Sequence, residues 1–186
     1  MTVMDFLKMV ETRESCRSFD GTPATREELI KIVEAGRLSP SGCNAQPWKF
    51  IIVDEEPALT RLRDALVLEN GATGAGWRSE VSSYIIVVEV PAKIMPAALE
   101  HYKDTQRFAP GDLGMAVMNM CYEAMDLGLA TCILGLNDQR KMEAAFHIPE
   151  NCDVRMVLAV GHPKTKSEPR QKVRKPFDEV CSFNQW

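Results

Sequence analysis

Three short polar stretches carry the residues whose types and spacing suit chemistry. In RESCR, Arg13, Ser15 and Arg17 alternate, so an extended backbone turns all three to one side. Two guanidiniums and a hydroxyl on one side match a phosphate, which accepts paired, charge-assisted hydrogen bonds. A solvated basic loop is the plainer alternative. In SPSGCNAQPW, residues 39–48, the conspicuous residue is Cys43, open to reading as a reactive thiol, a metal ligand or part of a shaped loop. Around it Ser41, Asn44 and Gln46 supply donors and acceptors, Gly42 permits close backbone approach, and Pro40 and Pro47 stiffen the ends. Amides so placed can read a planar heterocycle or simply form a turn. In QKVRKP, Lys172 and Arg174 alternate again before PFDEV, either as a second cationic pair or as a disordered basic tail.

Other chemistries lack their residues. No Ser/His/Asp or Cys/His constellation supplies a nucleophile. The six cysteines (Cys16, Cys43, Cys121, Cys132, Cys152 and Cys181) include no CxxC pair, and the three histidines (His101, His147 and His162) are scattered. A zinc site wants close ligand pairs, so most of these thiols read as small buried hydrophobes. No GxGxxG opens a helix after a strand and no GxxxxGKS/T occurs, which disfavours Rossmann and P-loop nucleotide sites.

The elements that must position these stretches follow from pattern. Residues 3–11 read as a helix. Thr25 and Glu28 have capping-box spacing, and Leu29, Ile32, Val33, Ala35 and Gly36 give the helix they start an apolar face as far as Leu38. WKFIIV, residues 48–53, reads as a strand; residues 57–70 read as a helix and the glycine-rich 71–77 as a loop. YIIVVEV, residues 84–90, reads as a strand buried on both faces, and 91–106 as helix ending in an exposed loop. In residues 109–127, Leu113, Met115, Val117, Met118, Met120, Cys121, Ala124, Met125 and Leu127 cover nearly the whole circumference of a helix. Such a helix should be buried nearly all round, either as the central helix of a monomer or partly in a subunit interface. Residues 130–136 read as a short strand or irregular loop, 138–146 as a helix, 154–160 as a strand, and the remainder as a basic, polar tail. Three or four strands interleaved with five or six helices indicate a mixed α/β domain.

Composition narrows the partners. The chain has 186 residues, enough for one cored domain; 45% are hydrophobic and 26% charged, and the net charge is −4. An acidic balance argues against nucleic acid, which needs a basic surface. No apolar run approaches the roughly 18 residues that span a bilayer. The first residues lack the pattern of a secretory signal. A cytoplasmic protein with no membrane partner is expected.

Taken together and in order, the stretches resemble the FMN-dependent nitroreductase family. RESCRSF is similar to its N-terminal RxSxR segment, and SPSGCNAQPWKFIIV to its PSxxNxQPWxF segment leading into a strand. DLGMAVMNMCYEAMDLGLATCILG is similar to its long helix and following glycine-bearing turn, and VRKPFDEV to its C-terminal arginine before a proline-acidic segment. The resemblance covers nearly the whole chain. It implies an α+β fold: a three-layer sandwich whose central, mostly antiparallel sheet is flanked by helices. It also implies an intertwined homodimer, with residues 1–186 as one domain whose tail, from about residue 164 to 186, reaches across the partner.

The resemblance further implies a bound FMN at the dimer interface. Arg13 and Ser15 would bind its phosphate, and Arg17 would share the phosphate or lie near the N1/O2 edge, where a cation stabilises the reduced ring. Pro40, Ser41, Gly42, Asn44 and Gln46 of the other subunit would line the ring and ribityl chain. Ile133, Leu134 and Gly135 would pass along the flavin with a backbone N–H toward N5. Lys172 and Arg174 would close on the phosphate, and Asn70 is a further match. The implied activity is ping-pong electron transfer from NAD(P)H, as co-substrate, to a small organic acceptor such as a nitroaromatic, quinone or enone. The cofactor carries the hard chemistry, so no side-chain nucleophile is required. Larger family members often place a glutamate where Leu134 stands, so nicotinamide steering differs here. Tyr102, Arg107 and Phe108 belong to a segment expected to wall the flavin. Alternatives are a specialised flavin reaction (reductive dehalogenation or flavin fragmentation) and an FMN-binding protein without turnover.

Overall fold

A computed structural model describes residues 5–67, 76–164 and 170–186. Its elements are α1 (Phe6–Thr12), α2 (Arg26–Arg37), β1 (Trp48–Val53), α3 (Ala58–Ala65), β2 (Ser83–Glu89), α4 (Pro96–Tyr102), α5 (Ala109–Asp126), β3 (Ala130–Leu134), α6 (Gln139–Phe146), β4 (Asp153–Gly161) and α7 (Phe177–Val180). Four strands form one sheet in the order β1-β2-β4-β3, antiparallel throughout.

β2 explains the layering. All seven of its residues are buried. Tyr84, Ile86 and Val88 pack with Leu59 and Leu62 of α3 and Met142 of α6. Ile85 and Val87 point the other way, toward Leu29 and Ile32 of α2 and Leu113, Val117 and Met120 of α5. A strand with period-two side chains and apolar residues on both faces needs a helix layer on each. The result is the expected three-layer α+β sandwich.

The helix starts and stops have local causes. α2 begins at the anticipated capping box: the Glu28 N–H donates to Thr25 Oγ1 at 3.2 Å, and the Thr25 N–H donates to Glu28 Oε2 at 2.7 Å. α3 is shorter than residues 57–70. Its last carbonyls are taken from outside: Ala65 O accepts from the Asp138 N–H, Leu66 O from Arg78 Nη1 and Val67 O from Lys141 Nζ. With those orphan acceptors satisfied, nothing is gained by another turn. Most of the glycine-rich loop, with Asn70, lies outside the described residues. Residues 130–136 resolve into a strand ending at Leu134, and the tail carries one short helix, α7. Among the described residues no helix is long and apolar enough to cross a membrane.

α5 is not surrounded. Ala109, Asp112, Leu113, Ala116, Val117, Met120, Cys121 and Ala124 form one buried stripe at helical spacing. Met115 on the opposite side is 42% exposed, and the Met118, Tyr122 and Met125 side is only half covered. Phe6 meets the Tyr122 ring edge-on at 5.4 Å. Within one chain, α5 is therefore not a fully buried central helix.

Candidate functional site

The segment 13–18 leaves the C-terminal end of α1 and lies along the edge of β3. The Cys16 N–H donates to Thr131 O at 2.9 Å, and Ser15 forms a parallel bridge with Thr131. This pins the segment beside a cavity of about 590 Å3 lined by Arg13, Arg17, Thr131 and Arg170 among others. Glu14 and Cys16 also reach the lining, whereas Ser15 does not. The expected one-sided alternation thus fails at Ser15. Its carbonyl is held by Arg170 Nη2 at 3.0 Å and by Arg17 Nη1 at 3.4 Å. Burial pushes the thiols of Cys16, Cys121 and Cys132 up, which keeps them protonated and inert.

Arg170 escaped the sequence reading, which looked to Lys172 and Arg174 for the tail's cations. Arg170 Nε donates to Glu14 Oε2 at 3.0 Å, and this partnership holds the Glu14 carboxyl below the usual carboxylate range. Lys172 Nζ donates to the carbonyls of Val10 and Glu11 at the end of α1, where a cation suits the helix dipole. Arg174 is exposed and donates to its neighbour's carbonyl, Val173 O, at 2.8 Å. The tail therefore docks first on its own chain, through Arg170 and Lys172. Beyond that it presents Val173, Phe177, Val180, Phe183 and Trp186 as exposed apolar side chains.

The loop that follows α2 is the second part of the site. Three of its non-glycine residues adopt left-handed backbone: Cys43 at φ 53°, Asn44 at 52° and Gln46 at 48°. Each such residue costs roughly 1–2 kcal/mol unless its surroundings impose it. The surroundings do. The Gly42 N–H donates to both carboxylate oxygens of Asp112, at 3.0 and 3.1 Å. Ser39 Oγ accepts from Asn119 Nδ2 at 2.7 Å, so α5 holds the loop at two points. Inside the loop the Gln46 N–H donates to Ser41 Oγ at 3.0 Å, and Gln46 Nε2 donates to Asn44 Oδ1 at 3.2 Å. Phe108 presses on Gly42 so closely that a Cβ there would lie 2.8 Å from Phe108 Cβ. Pro40, Cys43, Asn44 and Gln46 stay exposed, and Ser41 and Gly42 half-buried. The loop is thus a strained, tethered surface with its polar groups outward.

Ile133, Leu134 and Gly135 sit at the end of β3. Ile133 packs toward the α2/α5 layer and Leu134 is buried in the α3/α6 core. Leu134 therefore offers only backbone to a ligand. Gly135 is exposed, with nothing within 4 Å of where a Cβ would stand.

Among the expected residues the structure brings Arg13 and Arg17 to one cavity. None of 40–46, 133–135, Lys172 or Arg174 lines it. Asp112 and Asn119, which aim the 40–46 loop, were missed. A carboxylate on the buried stripe of an apolar helix was the available signal, because a buried charge needs a partner.

A family model described as the nitroreductase family matches residues 10–162. The chain belongs to the nitroreductase family. A relative from Archaeoglobus fulgidus, provisionally named an NADH dehydrogenase/NAD(P)H nitroreductase, is 28% identical over 166 residues, 87% of each chain. A nitroreductase family protein from Clostridium difficile superposes with a TM-score of 0.79 at 21% identity, covering 98% of this chain and 100% of that one. A solved oxidoreductase described as containing FMN superposes at 0.77 with 22% identity, covering 100% and 95%. Those superpositions extend the same fold over nearly the whole chain.

Proposed function

We propose that this nitroreductase-family chain binds FMN and works as an NAD(P)H-dependent oxidoreductase on a small organic acceptor, as a homodimer. The observation that carries the reading is the cavity of about 590 Å3 with Arg13, Arg17 and Arg170 at its wall. Its size is in the usual range for a cofactor-sized ligand. Three guanidiniums against one carboxylate, Glu14, suit a phosphate ester, and planar forks bind phosphate bidentately. FMN held there would supply the redox chemistry between the nicotinamide and the acceptor.

The chain's own groups bind and orient. Arg13 and Arg17 grip the phosphate, and their sharing of one cavity favours that role for Arg17. Arg170 keeps segment 13–15 in place through Glu14 and Ser15 O. Lys172 and Arg174 add positive charge to the tail beside it. The strained loop with Pro40, Ser41, Gly42, Asn44 and Gln46 does not line this cavity, so a second copy would supply it. The half-open face of α5 and the exposed apolar tail favour such a pairing, since apolar patches of this kind mark interaction surfaces. In that pairing, the tail beyond the anchor at Arg170 and Lys172, from residue 173 onward, crosses to the partner. Leu134 provides no carboxylate, so at the end of β3 only backbone, with the exposed Gly135, would be available to a bound ring.

The test is anaerobic. FMN-loaded protein should bleach with NADH or NADPH and regain colour with a nitroaromatic or quinone. Bound FMN that neither nucleotide bleaches would overturn the oxidoreductase reading.

A further inference from the structure

We propose that Gln106 is a positioning residue: its one amide staples the base of the 91–106 excursion to the sheet and so sets the wall that selects the acceptor. The wall's role rests on the flavin reading above; the staple is a matter of geometry alone.

Burial does not hold this excursion in place. α4 has no buried residue, and Met95 and Tyr102 are 59% and 40% exposed. A segment with so little buried apolar surface opens readily unless something else fixes it. Gln106 supplies that fixing at the excursion's two ends. Its Nε2 donates to Glu89 Oε1 at 2.8 Å and to Val90 O at 3.2 Å, and its Oε1 accepts from the Ala92 N–H. Residues 90 and 92 are thereby tied to residue 106, closing the loop at its neck.

Glu89 makes the staple firm. It follows the apolar run Ile85–Val88 at the end of β2 and is only 3% exposed. A buried carboxylate must be paired and hydrogen-bonded. The pairing cation comes from a bulge. Val87 faces Met156 but Val88 faces Val154, so Arg155 is the extra residue in β4. The bulge frees Arg155, whose Nε reaches Glu89 Oε2 at 2.6 Å. Gln106 satisfies the other carboxylate oxygen.

Fixing Gln106 fixes what flanks it. Arg107 places its guanidinium over the Tyr102 ring, 4.5 Å from the centroid, and Phe108 meets the same ring edge-on at 5.5 Å. Phe108 also presses on Gly42 of the strained loop. The staple thus sets Tyr102 and Arg107 relative to the surface that faces the flavin in the proposed dimer. An aromatic face and a cation at that wall suit a flat, electron-poor or anionic acceptor.

The test uses the full chain with Gln106→Met, which keeps shape and removes both polar atoms, and Gln106→Asn, which keeps the amide but is too short to span. Hydrogen exchange in peptides covering 91–106 should quicken at least about tenfold in both variants, because the three hydrogen bonds of the Gln106 amide are lost or stretched, with β2 and α5 peptides unchanged. FMN content should hold, and KM for a nitroaromatic should rise several-fold with kcat within about twofold, a loss of positioning rather than chemistry. Unchanged exchange in 91–106 would overturn the staple. Faster exchange with an unmoved KM would overturn the wall's part in acceptor choice. Should Gln106→Met fail to fold, Gln106→Asn carries the same measurements. A wild-type chain that takes up no FMN would remove the flavin reading while exchange still decides the staple.

Discussion

Gly42→Ala puts the architecture of the strained loop to a quantitative test. A Cβ at residue 42 would lie 2.8 Å from both Cβ and Cγ of Phe108 and 3.0 Å from its Cδ2. Carbon atoms rest at about 3.5–4.0 Å, so the two residues must part by roughly 0.7 Å or more. Phe108 Cβ is one bond from the backbone and cannot swing away like the end of a long side chain. Phe108 is also the N-cap of α5, and one turn further on Asp112 holds the Gly42 N–H at 3.0 and 3.1 Å. Moving residue 42 off Phe108 therefore stretches the bond to Asp112. Overpacking costs about 1–3 kcal/mol and a weakened bond to a charged group about 1 more, so the sum is about 2–4 kcal/mol. For a chain of this size that lowers Tm by roughly 4–16 °C. Circular-dichroism melts of the apo protein read it directly. Gly135→Ala, where a Cβ meets nothing within 4 Å, is the control and should leave Tm within about 2 °C. If Gly42→Ala melts with that control, the claim that α5 and Phe108 impose the loop's shape is wrong.

Three further outcomes follow from the same geometry. Arg13→Ala combined with Arg17→Ala should weaken FMN binding by about two orders of magnitude in a fluorescence titration, because two charge-assisted contacts to phosphate are lost; unchanged affinity would sink the phosphate assignment. Glu14 has a depressed folded pKa, chiefly through its hydrogen bond from Arg170, so the clasp is fully present above the ordinary carboxylate range near 4.5 and is lost as pH falls through the lowered value. Proteolysis of the tail after residue 170 should therefore quicken only in acid, and Glu14→Gln should show that quickening at neutral pH. Cys43→Gly relieves about 1–2 kcal/mol of left-handed strain against about 0.5–1 kcal/mol of added chain entropy, so Tm should rise slightly with FMN binding and turnover intact; lost turnover with flavin retained would restore a chemical role to the thiol.

Local pattern carried much of the fold. The Thr25–Glu28 capping box, the doubly apolar run of β2 and the aliphatic face of α2 are written in neighbouring residues, and the three layers follow from them. The ends of α3 and β3 were not legible, because carbonyls such as Ala65 O are satisfied by residues far along the chain. The same holds for the loop around Cys43. Its composition announced a turn, but the backbone strain arises from Asp112 and Asn119, about seventy and eighty residues away. Arg170 was passed over because its role depends on Glu14, which no spacing connects to it. Glu89 in YIIVVEV and Asp112 in an apolar helix were the visible clues: a charge on a buried face needs a distant partner.

The most direct measurement is titration of the apo protein with FMN, followed by flavin fluorescence and sedimentation. The account predicts saturable quenching at one FMN per chain, in a species of dimer mass, with affinity falling in Arg13→Ala. A folded wild-type chain that neither quenches FMN nor self-associates would contradict it.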